Sequence, residues 1–223
     1  MADLMLSFPW EATVDDPPPS VARSVRPVRS ARPAHLRRVV ADSTDRVAWL
    51  RARSQGITAT DVARLSTQAS VESVALEKIY GSRFSGNAYT DHGVAREPVV
   101  AAWVLANYGI SPSSALFHAE SDRKHLATPD GVAVRRGGLL ELAEIKTTNK
   151  GFRSVPRSYL RQIWWQQYVL GAERTLFVWE QHNNFVPIAR EPECRWIERD
   201  ENAIAILVGL ANQLLEMVAR HRR

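Results

Sequence analysis

The hydrophobic and polar positions of this chain change period more than once. From Asp42 the apolar residues fall at helical intervals. STDRVAWLRARS offers Ser43 or Thr44 as an N-cap, with Val47, Leu50 and Trp49 on the apolar face. GITATDVARLS predicts a short helix that begins near Thr58 or Thr60. VESVALEKIYG predicts a helix ending at Gly81, and DHGVAREPVVAAWVLANYG a longer one closed by Gly109. In the longer helix Val94, Val100 and Val104 make the apolar stripe, with Glu97 on or beside it. The period then shortens. LFHAESDRKHLATPDGVAVRRGGLLELAEIKT reads as short strands, with Arg135-Arg136-Gly137-Gly138 as a hairpin turn. SYLRQIWWQQYVLGA returns to a helix, and RTLFVWEQHNNFVPIAR is a strand pair turning at Asn183-Asn184. Glu191 to Arg223 predicts one long amphipathic helix. The sum is an α/β or α+β core, a central mixed sheet flanked by helices, with no internal repeat.

Residues 1–40 do not share this patterning. PPPS is followed by Arg23, Arg26, Arg29, Arg32, Arg37 and Arg38, spaced among Pro, Ser, Val and Ala. Proline interrupts helices and sheet ladders, and too little apolar surface is present to offset ordering entropy. The segment reads as a flexible basic arm able to add non-specific phosphate contacts. The remaining residues, 41–223, are long enough for one well-cored domain.

Charge and cysteine content narrow the class. A net charge of +5 and a pI near 9.7 permit a nucleic-acid partner without demanding one. A single cysteine, Cys194, excludes an internal disulfide framework and fits a reducing cytoplasm. No apolar run approaches the roughly 20 residues of a membrane span, and no basic, apolar leader opens the chain. Only four of the 29 basic residues are lysine. In so arginine-rich a chain, a lysine on a strand beside a glutamate calls for a chemical reason.

That lysine is Lys146, in TPDGVAVRRGGLLELAEIKTT. Alternation puts Leu142, Glu144 and Lys146 on one face of the strand, and Glu141, Ala143 and Ile145 on the other. Asp130 opens the preceding hairpin strand, so the hairpin brings it near Glu144 and Lys146. Two carboxylates that close repel unless a cation lies between them. Such oxygen donors suit Mg²⁺, or Mn²⁺ in its place, which would neutralise a phosphoryl transition state and acidify a bound water. Lysine can orient or exchange protons with that water, whereas arginine is effectively never neutral. Trp164 and Trp165 fit core and flank positions. His92, His118, His125 and His182 show no ligand spacing, and Asp61 fits a helix-start acid.

Asp130 with Glu144-Ile145-Lys146, and Pro129 before the Asp, resembles the PD-(D/E)xK nuclease motif of the restriction-endonuclease-like core. Three further segments resemble its lambda-exonuclease-like, or YqaJ-type, viral recombinase branch: AWLRARSQGITATDVARL, HGVAREPVVAAW and YLRQIWWQQYVLGA, in the family's order from about Trp49 to Glu180. The arm and the last 40 or so residues are not covered. The resemblance implies that Asp130, Glu144, the Ile145 carbonyl and Glu97 hold the metal, that Lys146 is the catalytic lysine, and that Gln162 positions the site or the DNA. It implies that Arg53 and Thr60, with Trp49 beside them, grip a 5′-terminal phosphate. It further implies a Mg²⁺-dependent exonuclease acting on double-stranded DNA ends in phage-type recombination, as a homo-oligomer, a trimer in the best-known member. Such an enzyme would leave 3′ overhangs for a single-strand annealing protein in the cytoplasm of a bacterial host. An endonuclease on the same core and a DNA-end-binding accessory protein without turnover are the alternatives. Iron–sulfur members of the core need four cysteines, which this chain lacks.

Overall fold

The structure, a computed structural model, describes residues 33–81 and 88–221. A 3-10 turn at Ala34–Arg38 leads into β1 (Val39–Asp42), α1 (Arg46–Ser54), β2 (Ile57–Thr58), α2 (Ala59–Val62), α3 (Gln68–Tyr80) and α4 (Ala88–Tyr108). Then come β3 (Ser111–Pro112), β4 (Ala115–His118), β5 (His125–Ala127), β6 (Gly131–Val134) and β7 (Leu140–Thr148). The chain finishes with α5 (Arg157–Leu170), β8 (Arg174–Asn183), β9 (Val186–Pro187), β10 (Glu193–Glu198) and α6 (Glu201–His221). The larger sheet runs β10-β8-β7-β6-β3, with β9 attached to β8, and the smaller one runs β1-β4-β5-β2. The larger sheet is mixed: β7 is parallel to β8 and antiparallel to β6.

Strand alternation decides the layering. On β7, Leu142 faces a core that contains Trp165 of α5 and Leu207, Ala211 and Leu214 of α6. Ala143 and Ile145 face the opposite core, with Val100 and Val104 of α4. Helices therefore cover both faces of the sheet around β7. The β6–β7 hairpin turns through Gly137 and Gly138, at φ 81° and 84°, a region where a side chain would be strained. α5 stops at Gly171, also left-handed, and α3 at Gly81.

Several expectations need correction. The flexible arm does not reach residue 40: His35 is buried, and β1 pairs with β4. Arg38 donates to the carbonyls of Val169 and Leu170, which end α5, and to His118 O at 3.1 Å. It thus satisfies carbonyls left unpaired at a helix C-terminus. Residues 1–32, where the rest of the expected arm falls, lie outside the described residues. The N-cap of α1 is Asp45, which accepts from Ala48 N, not Ser43 or Thr44. Val47 and Leu50 are exposed rather than buried. On α4, Val100 and Val104 are buried but Val94 is 66% exposed, since a step of six residues leads to the far side of the helix. The strand pair after α5 turns one residue later than expected, through Asn184 and Phe185. The segment after Glu191 is not one helix: Glu193–Glu198 alternates and pairs along β8, and the helix begins only at Glu201.

One helix among the described residues, α6, is long and apolar enough to cross a membrane. Here its stripe Ile204, Leu207, Ala211, Leu214 and Val218 is buried against the protein's own core, while Ile206 is 65% exposed. Leu214→Ala is expected to destabilise the protein by about 2–5 kcal/mol, and Ile206→Ala to stay within about 0.5 kcal/mol. Urea unfolding checks both; equal effects would mean that this stripe is not docked.

Candidate active site

The β6–β7 register carries Asp130 to β7. Gly131 lies opposite Ala143, and the Asp130 amide donates to Ala143 O at 3.1 Å. One residue before the paired strand, Asp130 Oδ2 accepts the Ile145 N–H at 2.7 Å. The hairpin inference from sequence is met in this contact.

Glu144 is 1% exposed, and a carboxylate so placed must be surrounded by donors. Lys146 Nζ and Gln162 Nε2 both donate to its Oε1, the latter at 2.5 Å. Gln166 Nε2 donates to Oε2 at 2.6 Å. Gln162 and Gln166 are four residues apart on α5, so one helical face delivers both amides. The Lys146 ammonium also lies 5.6 Å from the centre of the Tyr159 ring. Gln166 was not singled out from sequence; its i, i+4 relation to Gln162 was the available signal.

The acids outnumber the bases. Burial pushes the Asp130 carboxyl well above the usual range, and the Glu144 charge pushes it further, against Lys146. Burial also raises Glu97, which feels Lys146 pulling it down and Glu144 pushing it up. Burial would lower Lys146, but Glu144 and Asp130 outweigh it, so its pKa ends above the ordinary lysine value and it stays an ammonium. Glu97 and Asp130 line one cavity of about 350 Å³ between α4 and the β3 side of the sheet. α4 runs through Pro98, next to Glu97, which gives up one helical hydrogen bond at this wall.

Three carboxylates facing one ammonium make a site short of positive charge, and its donors are oxygens. In kind these residues fit a hard divalent cation. Gln166 Oε1 is buried beside them with no donor, which suits a water. Among the described residues no three acids or imidazoles are drawn round one point, and Glu144 spends both oxygens on its lysine and glutamines.

The model of the YqaJ-like viral recombinase domain matches residues 48–173. The chain belongs to that family. Every site residue inferred from sequence falls inside the match. The fold is similar to that of the alkaline exonuclease LHK-Exo from Laribacter hongkongensis, with 24% identity and a TM-score of 0.61, over 78% of this chain and 92% of that one. The same enzyme in complex with dAMP aligns at 22% identity and a TM-score of 0.59, with the same coverage. A phage related exonuclease from Haemophilus somnus 129PT aligns at 13% identity and a TM-score of 0.56, over 75% of this chain and 96% of that one. At these identities the likeness concerns the fold. No curated protein matches the chain.

Within the YqaJ-like domain the second group, Trp49, Arg53 and Thr60, divides. The Arg53 guanidinium lies over the Trp49 ring, 4.3 Å from its centroid. Burial lowers the Arg53 pKa against the opposing charge of Asp61. Thr60 is exposed in the first turn of α2, and the cap is Thr58, in a capping box with Asp61. Asp61 also pairs with Lys78 at 2.8 Å, so it is the helix-start acid expected. α5 connects the two groups: Arg161 Nε donates to Ala63 O at 2.9 Å, and the next residue, Gln162, holds Glu144. Trp165 is a core residue, as expected, with its indole N–H on Leu126 O.

The Asp130 environment has a measurable sign. An acid whose folded pKa is raised releases its proton more readily when unfolded, so stability falls as pH rises between the ordinary carboxylate range and the raised value. Asp130→Asn keeps an acceptor for Ile145 N–H and removes this slope. In metal-free buffer the variant is expected to melt above the native protein at neutral pH and to converge with it in acid. Melting curves across pH check this; a variant that melts lower at every pH would contradict it.

Proposed function

We propose that this chain is a metal-dependent deoxyribonuclease that degrades double-stranded DNA from its ends, in the 5′-to-3′ direction, as part of phage-type recombination. The observation that carries the reading is the joining of Asp130, Glu144 and Lys146 through the Ile145 amide and the Glu144 carboxylate, inside a YqaJ-like domain. Membership in this family and the alkaline and phage related exonuclease folds support the exonuclease class.

Asp130, Glu144, Glu97 and the Ile145 carbonyl would hold Mg²⁺ or Mn²⁺. When bound, the ion supplies charge neutralisation at the phosphoryl group and a more acidic water. The chain's own residues do the rest. Lys146, kept cationic by Glu144 and Asp130, orients that water and balances charge on the reacting phosphate. Gln162 and Gln166 fix the Glu144 carboxylate in rotation, so that its oxygens are presented in one orientation. Binding of the 5′ end is assigned to Arg53 and Thr60, beside Trp49. Arg53 has no acceptor among the described residues, and the Trp49 indole N–H is buried without one. Two donors without acceptors in one place suit an incoming phosphate. Annealing of the exposed 3′ overhang would fall to a partner protein.

The test uses linear duplex DNA with one 5′ end phosphorylated, the other bearing a hydroxyl, and each strand labelled. With Mg²⁺, mononucleotides are expected first from the phosphorylated strand. Lys146→Ala should lower the rate by at least about 100-fold. Arg53→Gln should lower the preference for the phosphorylated end by about 10- to 100-fold, the worth of one charged hydrogen bond, and leave the hydroxyl end little changed. Equal cutting of closed circular DNA would replace this reading with an endonuclease. DNA retention without cutting in Mg²⁺ or Mn²⁺ would replace it with an end-binding protein.

A further inference from the structure

Beyond Lys146, β7 continues as Thr147 and Thr148 into a second cavity of about 520 Å³. Among the described residues its walls are neutral polar and aromatic groups with two histidines, and they include no carboxylate. Tyr159 belongs to both places: it lines this cavity, and its ring faces the Lys146 ammonium. A DNA strand that lays one phosphate at Lys146 therefore has the cavity along its next step.

Behind the cavity wall is a relay. Arg96 Nε and Nη2 donate to the Glu180 carboxylate at 2.9 and 2.7 Å. Glu180 Oε2 lies 2.6 Å from His182 Nε2, and His182 Nδ1 lies 2.5 Å from His92 Nε2. Burial raises Glu180, but Arg96 and His182 overcome it and hold it below the usual range, so it is a carboxylate. The donor order then follows from valence. His182 Nε2–H points to Glu180, its Nδ1 accepts from His92 Nε2–H, and His92 Nδ1 is left over. Among the described residues no group bonds that nitrogen. Among the described residues the charged and titratable groups about the pair are Glu180 of β8, bonded to His182, Arg96 of α4 behind it, and Tyr159 of α5 across the cavity, with Lys146 of β7 on the Tyr159 ring.

The cavity rim carries a second departure from local rules. Asn184 and Phe185 have φ of 47° and 67° at the centre of the β8–β9 turn. Asn is at home there; a phenylalanine is not, because its Cβ crowds the backbone in the left-handed region. The strained residue sets its ring edge-on to His92, 5.1 Å between centroids, at the mouth of the cavity.

We propose that this cavity is a subsite for a phosphodiester of single-stranded DNA, bound by the protonated His92 imidazole, with Phe185 at its mouth toward the adjoining base and Tyr159, packed on Lys146, Phe152 and Phe177, as a fixed wall. It rests on the reading of the Asp130–Glu144–Lys146 site as one that receives a DNA strand. His182 and Glu180 position His92. One solvent proton enters at His92 Nδ1 as the strand binds, and the cation is compensated through His182 by Glu180. Aromatic faces accept bases without regard to sequence, as a digesting enzyme requires.

The experiment measures binding of a labelled oligothymidylate with a 5′ hydroxyl, in EDTA so that nothing is cut. The 5′ hydroxyl removes the contribution of the Arg53 site. Native protein is expected to bind about tenfold more tightly at about pH 6 than at about pH 8, since the proposed contact takes up a proton together with the strand. His92→Gln and Glu180→Gln should lose that pH dependence. Phe185→Gly should relax the turn, melt no lower than native, and still bind more weakly, an outcome that a purely structural role cannot produce. Native affinity and native pH dependence in His92→Gln would overturn the proposal, even if the protein digests duplex DNA. The expected pH dependence in a protein that cuts nothing would keep the subsite and remove the nuclease reading.

Discussion

The burial of one negative charge governs this structure. Glu144 lies in a central strand with almost no contact with water, and such a carboxylate is tolerable only when every direction of approach is filled by a donor. The donors come from two places: Lys146, two residues along the same strand, and the amides of Gln162 and Gln166 on α5. A slip of α5 by one residue would leave the charge unpaired, so the position of the helix on the sheet is settled by electrostatics as well as by volume. Other contacts depend on that position. The Trp165 indole finds the Leu126 carbonyl, and Arg161 finds that of Ala63, only while α5 stays in this register.

What could be read from the sequence was what short-range geometry dictates. Asp130, Glu144 and Lys146 could be brought together on paper because alternation and a two-strand hairpin suffice. Gln162 came from the family resemblance and not from geometry, and Gln166 was missed although it is the next residue on that helix face. Long-range facts left no local mark. Nothing in Val39–Asp42 announces β4 as a partner some 75 residues on, and His92 and His182 are 90 positions apart. The strand at Glu193–Glu198 was lost for another reason: six alternating residues lie directly before a strongly apolar helix, whose periodicity dominates the window. The helix stripe was misjudged at Val47, Leu50 and Val94 because periodicity locates a face and does not say whether anything covers it.

The departures from local rules are not scattered. An acid held against its ordinary titration, a proline inside a helix, a phenylalanine in left-handed backbone and two hydrogen-bonded imidazoles all lie around the far half of β7. Elsewhere, capping boxes, glycine stops and apolar alternation agree with one another. A chain that is locally consistent over most of its length and inconsistent around one strand end is specialised there.

Arg38 bears on how the chain is made. Its acceptors at the end of α5 lie 131 and 132 residues downstream. On a ribosome, Arg38 waits without these acceptors until 131 further residues have followed it. β1 can dock on β4 sooner, but the helix end that holds Arg38 does not yet exist. The last step of assembly at this edge is therefore the closure of Arg38 onto the end of α5, a loop closure slow for its length. Once α5 has formed and until Arg38 arrives, its final carbonyls are open to other chains, which makes this seam the place where a nascent copy is most exposed to misassembly.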